Sequence, residues 1–135
     1  MATEFYDDYM SIMIDNATKL LEKEGCSYNI LRVPGSLELP AALSFTLAAE
    51  SDKYDGYIIL GCIIKGESGH YKHVCRETMN GLSVMSYNHC LAMGIGIITA
   101  QSREIAEKRL EDYSKKAVYV SIKMANIKDN LFNNK

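Results

Sequence analysis

Apolar residues at Met10, Met13, Ile14, Ala17, Leu20 and Leu21 follow the i, i+3, i+4, i+7 spacing of one helix face. They predict an amphipathic helix over Asp8 to Glu24, which Gly25 stops. Tyr28 to Val33 is short and β-prone, and Pro34-Gly35 turns the chain after it. Pro40 suits a first helical turn, where its missing N–H leaves nothing unpaired, and Leu39, Ala42, Leu43, Phe45 and Leu47 carry that helix to about Ala49. Tyr57 to Ile64 is a nearly continuous apolar run, the pattern of a strand covered on both faces and central in a parallel sheet. A long helical pattern follows through Val74, Thr78, Leu82 and Met85 toward His89 and Gly94. Ile95 to Ala100 is a second buried strand, and Ser102 caps a helix begun by Ile105, Ala106, Arg109 and Leu110. Val118, Ser121, Ile122 and Ala125 give a last helical stripe before a polar tail, Asp129 to Lys135.

Strand and helix alternate, so the chain predicts an α/β fold: a parallel sheet with helices on both faces and right-handed crossovers. Ligands of such sheets collect beyond the carboxyl ends of the strands, which marks three turns, Val33 to Leu39, Gly61 to His70 and Thr99 to Arg103. Only three strands are visible, and a first strand before Phe5 is expected to be absent or trimmed.

The length of 135 residues fits one domain spanning 1–135, with no repeat and no linker. A 47% hydrophobic and 24% charged composition allows a real core, and a net charge of -2 provides no general field for nucleic acid or an anionic membrane. The apolar runs fall short of the roughly 20 residues that cross a bilayer, and the acidic start Met1 to Asp8 does not read as a signal peptide. Cys26, Cys62, Cys75 and Cys90 are scattered without C-x-x-C or histidine spacing, and Cys62, Cys75 and Cys90 lie in strand-like or helical patterns. They are read as reduced thiols of a cytoplasmic protein, with no metal site.

The loop Lys65-Gly66-Glu67-Ser68-Gly69-His70 leaves the most buried strand and opens a helix. Its glycines allow close backbone approach, and the free N–H groups of the helix start, with Ser68 and Lys65, make a phosphate cradle or simply a tight strand-to-helix turn. His70 stands beside that cradle, and an imidazole titrates near neutrality, so it is the best acid/base candidate; His73 and His89 read as solvated or capping residues. In Val33-Pro34-Gly35-Ser36-Leu37-Glu38-Leu39-Pro40 an acid lies among apolar residues between a strand and a helix. Glu38 is either a dipole-favoured first-turn charge or, with Ser36, a hydrogen-bond partner for a heterocycle. Phe5 either staples the first helix or stacks on such a ring.

Two of these segments in this order resemble the 6,7-dimethyl-8-ribityllumazine synthase family. Val33 to Pro40 (VPGSLELP) is similar to its V-P-G-[AS]-x-E-[IL]-P segment, and Leu60 to His70 (LGCIIKGESGH) to its G-x-[VI]-I-[RK]-G-x-[TS]-x-H loop. The resemblance runs from Phe5 to about Arg109. It implies a flavodoxin-like three-layer α/β/α subunit, a transferase without metal or redox cofactor, and a homo-oligomer, most often a pentamer or an assembly of pentamers, whose active site closes against a neighbour. The implied reaction condenses 5-amino-6-(D-ribitylamino)uracil with 3,4-dihydroxy-2-butanone 4-phosphate through an imine, with loss of phosphate and water; riboflavin synthase is an implied further partner.

By the same resemblance His70 moves protons, and Lys65, Gly66, Glu67 and Ser68 border the phosphate side. Ser36, Leu37 and Glu38 hold the uracil, Phe5 stacks on it, Ile63, Ile64 and Ile95 line the substrate side, and Arg109 takes the phosphate. The chain departs from the family where Lys72 replaces an acid after the histidine, and where Leu110 to Lys116 replace a glycine- and lysine-containing stretch, so that the phosphate site either lacks one basic helper or takes Lys115 or Lys116 in its place. That second departure keeps an alternative open, a non-catalytic shell-forming or flavin-binding relative.

Overall fold

In the computed structural model, which describes residues 1–133, the two uninterrupted apolar runs become the two long strands, β3 (Tyr57–Ile64) and β4 (Met93–Ala100). They pair in parallel from Tyr57↔Met93 to Ile64↔Ala100. The strand expected to be missing is present: Ala2–Thr3 (β1) lies between β3 and β2 (Arg32–Val33), and the fully parallel order is β2-β1-β3-β4. Two residues carry no readable periodicity, which hid β1 from the sequence. Of the predicted strand Tyr28 to Val33 only the last two residues join the sheet.

Helices α1 (Asp7–Lys23), α4 (Arg103–Glu107) and α5 (Leu110–Asn133) supply residues to one core cluster, with Met10, Met13, Leu60, Ile98 and Val118 at its centre. Helices α2 (Leu39–Glu50) and α3 (His70–Asn88) cover the other face, where Leu39, Leu43, Ile59 and Leu82 are buried. The result is the expected three-layer α/β/α arrangement with β3 covered on both faces. β1 is followed by a helix on one face and β3 by a helix on the other, so the topology switches between these two neighbouring strands, the place where such sheets open a crevice.

Helix α5 lies directly on strand backbone. In β4, Gly94 and Gly96 alternate with Ile95 and Ile97, and the glycines face α5. A Cβ on Gly94 would overlap the Ala117 carbonyl, one on Gly96 would come within 2.8 Å of the Tyr113 carbonyl oxygen, and one on Gly56 within 2.6 Å of Ser121 Oγ. Ser121 Oγ also donates to the Ala92 carbonyl at 3.0 Å. This seam extends the last helix beyond what its stripe indicated: α5 starts at Leu110, and the supposed polar tail from Asp129 is helical through Asn133, the rest of it lying outside the described residues.

The four thiols are free and differ in setting. Cys62 is buried, whereas Cys90, expected within a helix, is exposed just past the end of α3 at φ 53°. Burial pushes the Cys62 thiol from 9.0 up to about 11. Iodoacetamide is therefore expected to modify Cys90 first and Cys62 only on unfolding, as peptide mass spectrometry will record. Because native Cys62 keeps a proton that the unfolded chain loses, its contribution to stability is fully present below pH 9.0 and is lost as pH rises through about 11.

Candidate functional site

The carboxyl ends of the four strands bring together the loops on which most of the sequence-predicted residues sit. Ser36 to Glu38 form a single 3-10 turn after β2. Ser36 is buried, and its Oγ lies 3.5 Å from where a Cβ on Gly61 would stand, so this turn packs directly over β3. Leu37 points outward at 46% exposure. The Glu38 carboxylate folds back over Gly35, with Oε2 2.9 Å from where a Cβ on that glycine would stand. Glu38 is thus both the residue preceding α2 and a free acceptor at the rim.

Phe5 lies between β1 and α1 and is 63% exposed, outside both core clusters. The staple reading fails, because a stapled ring would pack under the first helical turn. Phe5 instead makes a T-shaped contact with Tyr6, with ring centroids 4.8 Å apart and planes at 85°. Tyr6 precedes α1 in the left-handed region, φ 56° and ψ 57°, and stacks on Tyr9 at 5.9 Å. The Arg103 guanidinium from α4 lies 5.4 Å from the Tyr6 ring and 4.7 Å from the Tyr9 ring, and pairs with Asp8 at 3.2 Å.

The loop Lys65 to Gly69 crosses from the end of β3 to α3, anchored where the Lys65 N–H donates to the Ala100 carbonyl at 2.9 Å. A Cβ at Gly66 or Gly69 would meet nothing within 4 Å, so the space above both is open. Glu67, Ser68 and His70 are exposed. Ser68 Oγ accepts from the His70 N–H at 3.4 Å, which leaves the other first-turn donors of this 19-residue helix without a side-chain cap. Ile63 and Ile64 are the last residues of β3, one facing α2 and α3, the other α1 and α5.

Arg109 occupies the turn between α4 and α5 and donates from Nη1 to the Thr99 carbonyl at 3.0 Å, which fixes one nitrogen and leaves its other donors free for an anion. Tyr71, in the first turn of α3, faces Thr99, Cys75 and Arg109, and burial pushes its phenol up. Three of the expected residues stand apart from this rim in a single subunit. Ile95 pairs with Ile59 low on β4 and packs against the α2 and α3 cluster, about 16 Å of strand below the rim. Lys115 and Lys116 point away along α5, paired with Glu111 at 2.5 Å and Asp112 at 3.0 Å. An i, i+4 acid on the same helix stands beside each lysine in an exposed pair. Arg103 went unread because its partners Tyr6, Asp8 and Tyr9 are distant in sequence, and Tyr6 because its backbone angle has no signature in residue order.

Two cavities, of about 640 and 450 Å³, open at the opposite, amino-terminal edge of the sheet, beside Ile58 and Tyr57 respectively. Among the described residues there is no cluster of three His, Cys, Asp or Glu able to hold a metal, and no helix is long and apolar enough to cross a membrane.

Comparison with known proteins gives these features their context. The chain is 38% identical over 134 residues to 6,7-dimethyl-8-ribityllumazine synthase of Afipia carboxidovorans, covering 94% of this chain and 82% of that one. It is 39% identical over 114 residues to the enzyme of the same name from Bartonella bacilliformis, covering 82% and 73%. The match to 6,7-dimethyl-8-ribityllumazine synthase 1 of Rhizobium meliloti is 38% over 108 residues, covering 78% and 71%. The sequence model of the family spans residues 1–129, past Arg109 and along most of α5, and the chain belongs to the 6,7-dimethyl-8-ribityllumazine synthase family.

Proposed function

We infer that this chain is a transferase of riboflavin biosynthesis that condenses 5-amino-6-(D-ribitylamino)uracil with 3,4-dihydroxy-2-butanone 4-phosphate to 6,7-dimethyl-8-ribityllumazine. The observation that carries the reading is the convergence, on one rim of a family fold, of the Ser36 to Glu38 turn, Phe5, the Gly66 to His70 loop and Arg109. The 5-amino group attacks the ketone carbonyl and water leaves to give an imine; phosphate is then eliminated, and the ribityl-bearing nitrogen closes the ring with loss of a second water. Each step moves protons and none requires a redox change. His70 serves as the proton carrier, Ser36 and Glu38 as partners for the uracil, and Arg109 with the α3 N–H groups as the phosphate holder. Holding two substrates side by side supplies much of the rate, since effective molarities reach about 10⁵ M or more.

The active site belongs to an assembly. Ser36 to Glu38 stand over one outer strand, β2, and Arg109 over the other, β4; three strand spacings separate these, about 14 Å. Arg109 of one subunit therefore serves the neighbour's ring site. Leu37 at 46% and Phe45 at 72% exposure are the apolar surface such a neighbour would cover. A cytoplasmic setting suits the four free thiols.

Mixing purified protein with both substrates and following lumazine fluorescence tests the reaction; turnover no faster than the uncatalysed rate would sink it. The stretch Leu110 to Lys116, in place of the family's glycine- and lysine-containing one, favours the alternative, a relative that binds a flavin-like ring without phosphate, and that reading predicts ring binding with no product. The shared site predicts that His70→Ala and Arg109→Ala variants, each strongly impaired alone, regain activity when unfolded and reassembled together. No recovery from well-assembled mixtures means a self-contained subunit.

A further inference from the structure

We propose that Arg103 and Tyr6 are positioning residues, a clamp that sets the Phe5 ring as the platform for the heterocyclic substrate. The ligand named here rests on the function proposed above; the clamp itself rests on geometry.

The argument starts from an outlier. A tyrosine at φ 56° and ψ 57° holds a backbone conformation that glycine and asparagine adopt far more readily, and bulky residues stay there only when their surroundings hold them. At Tyr6 the surroundings do so from three sides. The Tyr9 ring lies parallel beneath, tilted by 24°, and Tyr9 is itself fixed by its hydroxyl, which donates to Glu107 at 2.7 Å. The Arg103 guanidinium covers both rings, at 5.4 and 4.7 Å, and is held by Asp8 at 3.2 Å. Arg32 braces the same loop from the other side, donating to the Thr3 carbonyl at 2.8 Å and to Asp7 at 2.9 Å.

The loop so fixed does not bury its own aromatic residue. With Tyr6 in the left-handed conformation, Phe5 is turned out over the rim, 63% exposed, in a T-shaped contact with the Tyr6 ring. A turn needed only to start α1 would be made with less strain by glycine or asparagine. What the tyrosine adds is an aromatic wall behind Phe5 and a surface for a cation that joins α4 to the start of α1. The flat exposed face of Phe5 is then held for stacking before any ligand arrives, so little rotamer freedom is lost on binding. Arg103 touches no reacting atom in this scheme and acts through Tyr6 and the Tyr9 ring beside it.

Steady-state kinetics with each substrate varied in turn separates positioning from general support. Arg103→Gln is expected to raise KM for the uracil substrate about tenfold, with kcat and KM for the phosphate substrate within about twofold of wild type. Arg103→Lys should recover most of the loss, because an ammonium also binds a ring face. Phe5→Ala should show the same split. A second readout needs no turnover: amide hydrogen exchange of Glu4 to Tyr6 should quicken in Arg103→Gln and not in Arg103→Lys. An unchanged uracil KM in Arg103→Gln, or an equal rise for both substrates, would overturn the clamp. If the wild-type protein makes no product, the reaction reading falls and the clamp is decided by exchange alone, standing if the segment loosens in the glutamine variant and falling if it does not.

Discussion

Gly94→Ala is expected to lower stability by more than about 3 kcal/mol, at the upper end of overpacking changes, and to drop the melting temperature by roughly 10 °C or more. A Cβ there meets the main chain of α5 at Ala117, and a carbonyl in the middle of a 24-residue helix has no rotamer with which to step aside. Relief requires α5 to lift from β4, which would also open the contacts of Gly96 with Tyr113 and of Gly56 with Ser121 and break the Ser121 to Ala92 hydrogen bond. Close-packed interiors transmit such a shift. Because Arg109 lies immediately before α5 and is tied to Thr99 on the same strand, the lift should also displace the phosphate cation. Gly66→Ala is the control: space above Gly66 is open, and its stability should change by less than about 0.5 kcal/mol. Urea unfolding of both variants decides the matter. A loss below about 1 kcal/mol for Gly94→Ala would mean that α5 slides freely over the sheet and that the glycines are incidental.

That seam also shows what the sequence could and could not convey. Tyr57–Ile64 was readable to the residue because a strand covered on both faces is apolar throughout, and Pro40, Gly25 and Ser102 marked helix boundaries by their own backbone chemistry. Ser102 caps α4 as expected, its side chain accepting from the Ile105 N–H. β1 was not readable, since its two residues enter the sheet through pairing with Arg32, Val33 and Leu60, and pairing is long-range. The same distinction divides the site. Glu38, His70 and the glycine loop stood out because each lies at a local break between strand and helix, which is where ligands gather. The register that sets Ile95 opposite Ile59 is long-range and has no local signal, whereas the ion pairs of Lys115 and Lys116 follow a helical count of four that residue order does show. Arg103 is separated from Asp8 by 95 positions and its role depends on a backbone angle at Tyr6, neither of which has a signature in residue order.

His70→Ala is expected to lower kcat by about 10² or more, the low end for losing a positioned proton carrier and equivalent to about 2.7 kcal/mol of barrier. The side chain is exposed at the start of α3 and belongs to neither core cluster, so its removal opens no cavity, and the helix start keeps its Ser68 contact because that bond uses the His70 backbone N–H. Stability and assembly should therefore match wild type. KM for both substrates should move little, since the uracil partners Ser36 and Glu38 and the phosphate partners at Arg109 and the α3 N–H groups remain in place. A fall confined to kcat assigns the imidazole to steps after binding. The residual rate should still exceed the uncatalysed one, because the juxtaposition of amine and ketone survives the substitution. Rapid-mixing measurement of product fluorescence, with sedimentation to confirm assembly, provides the check. Wild-type kcat in a correctly assembled His70→Ala protein would remove His70 from the chemistry and leave proximity, aided by solvent protons, as the whole of the catalysis at this rim.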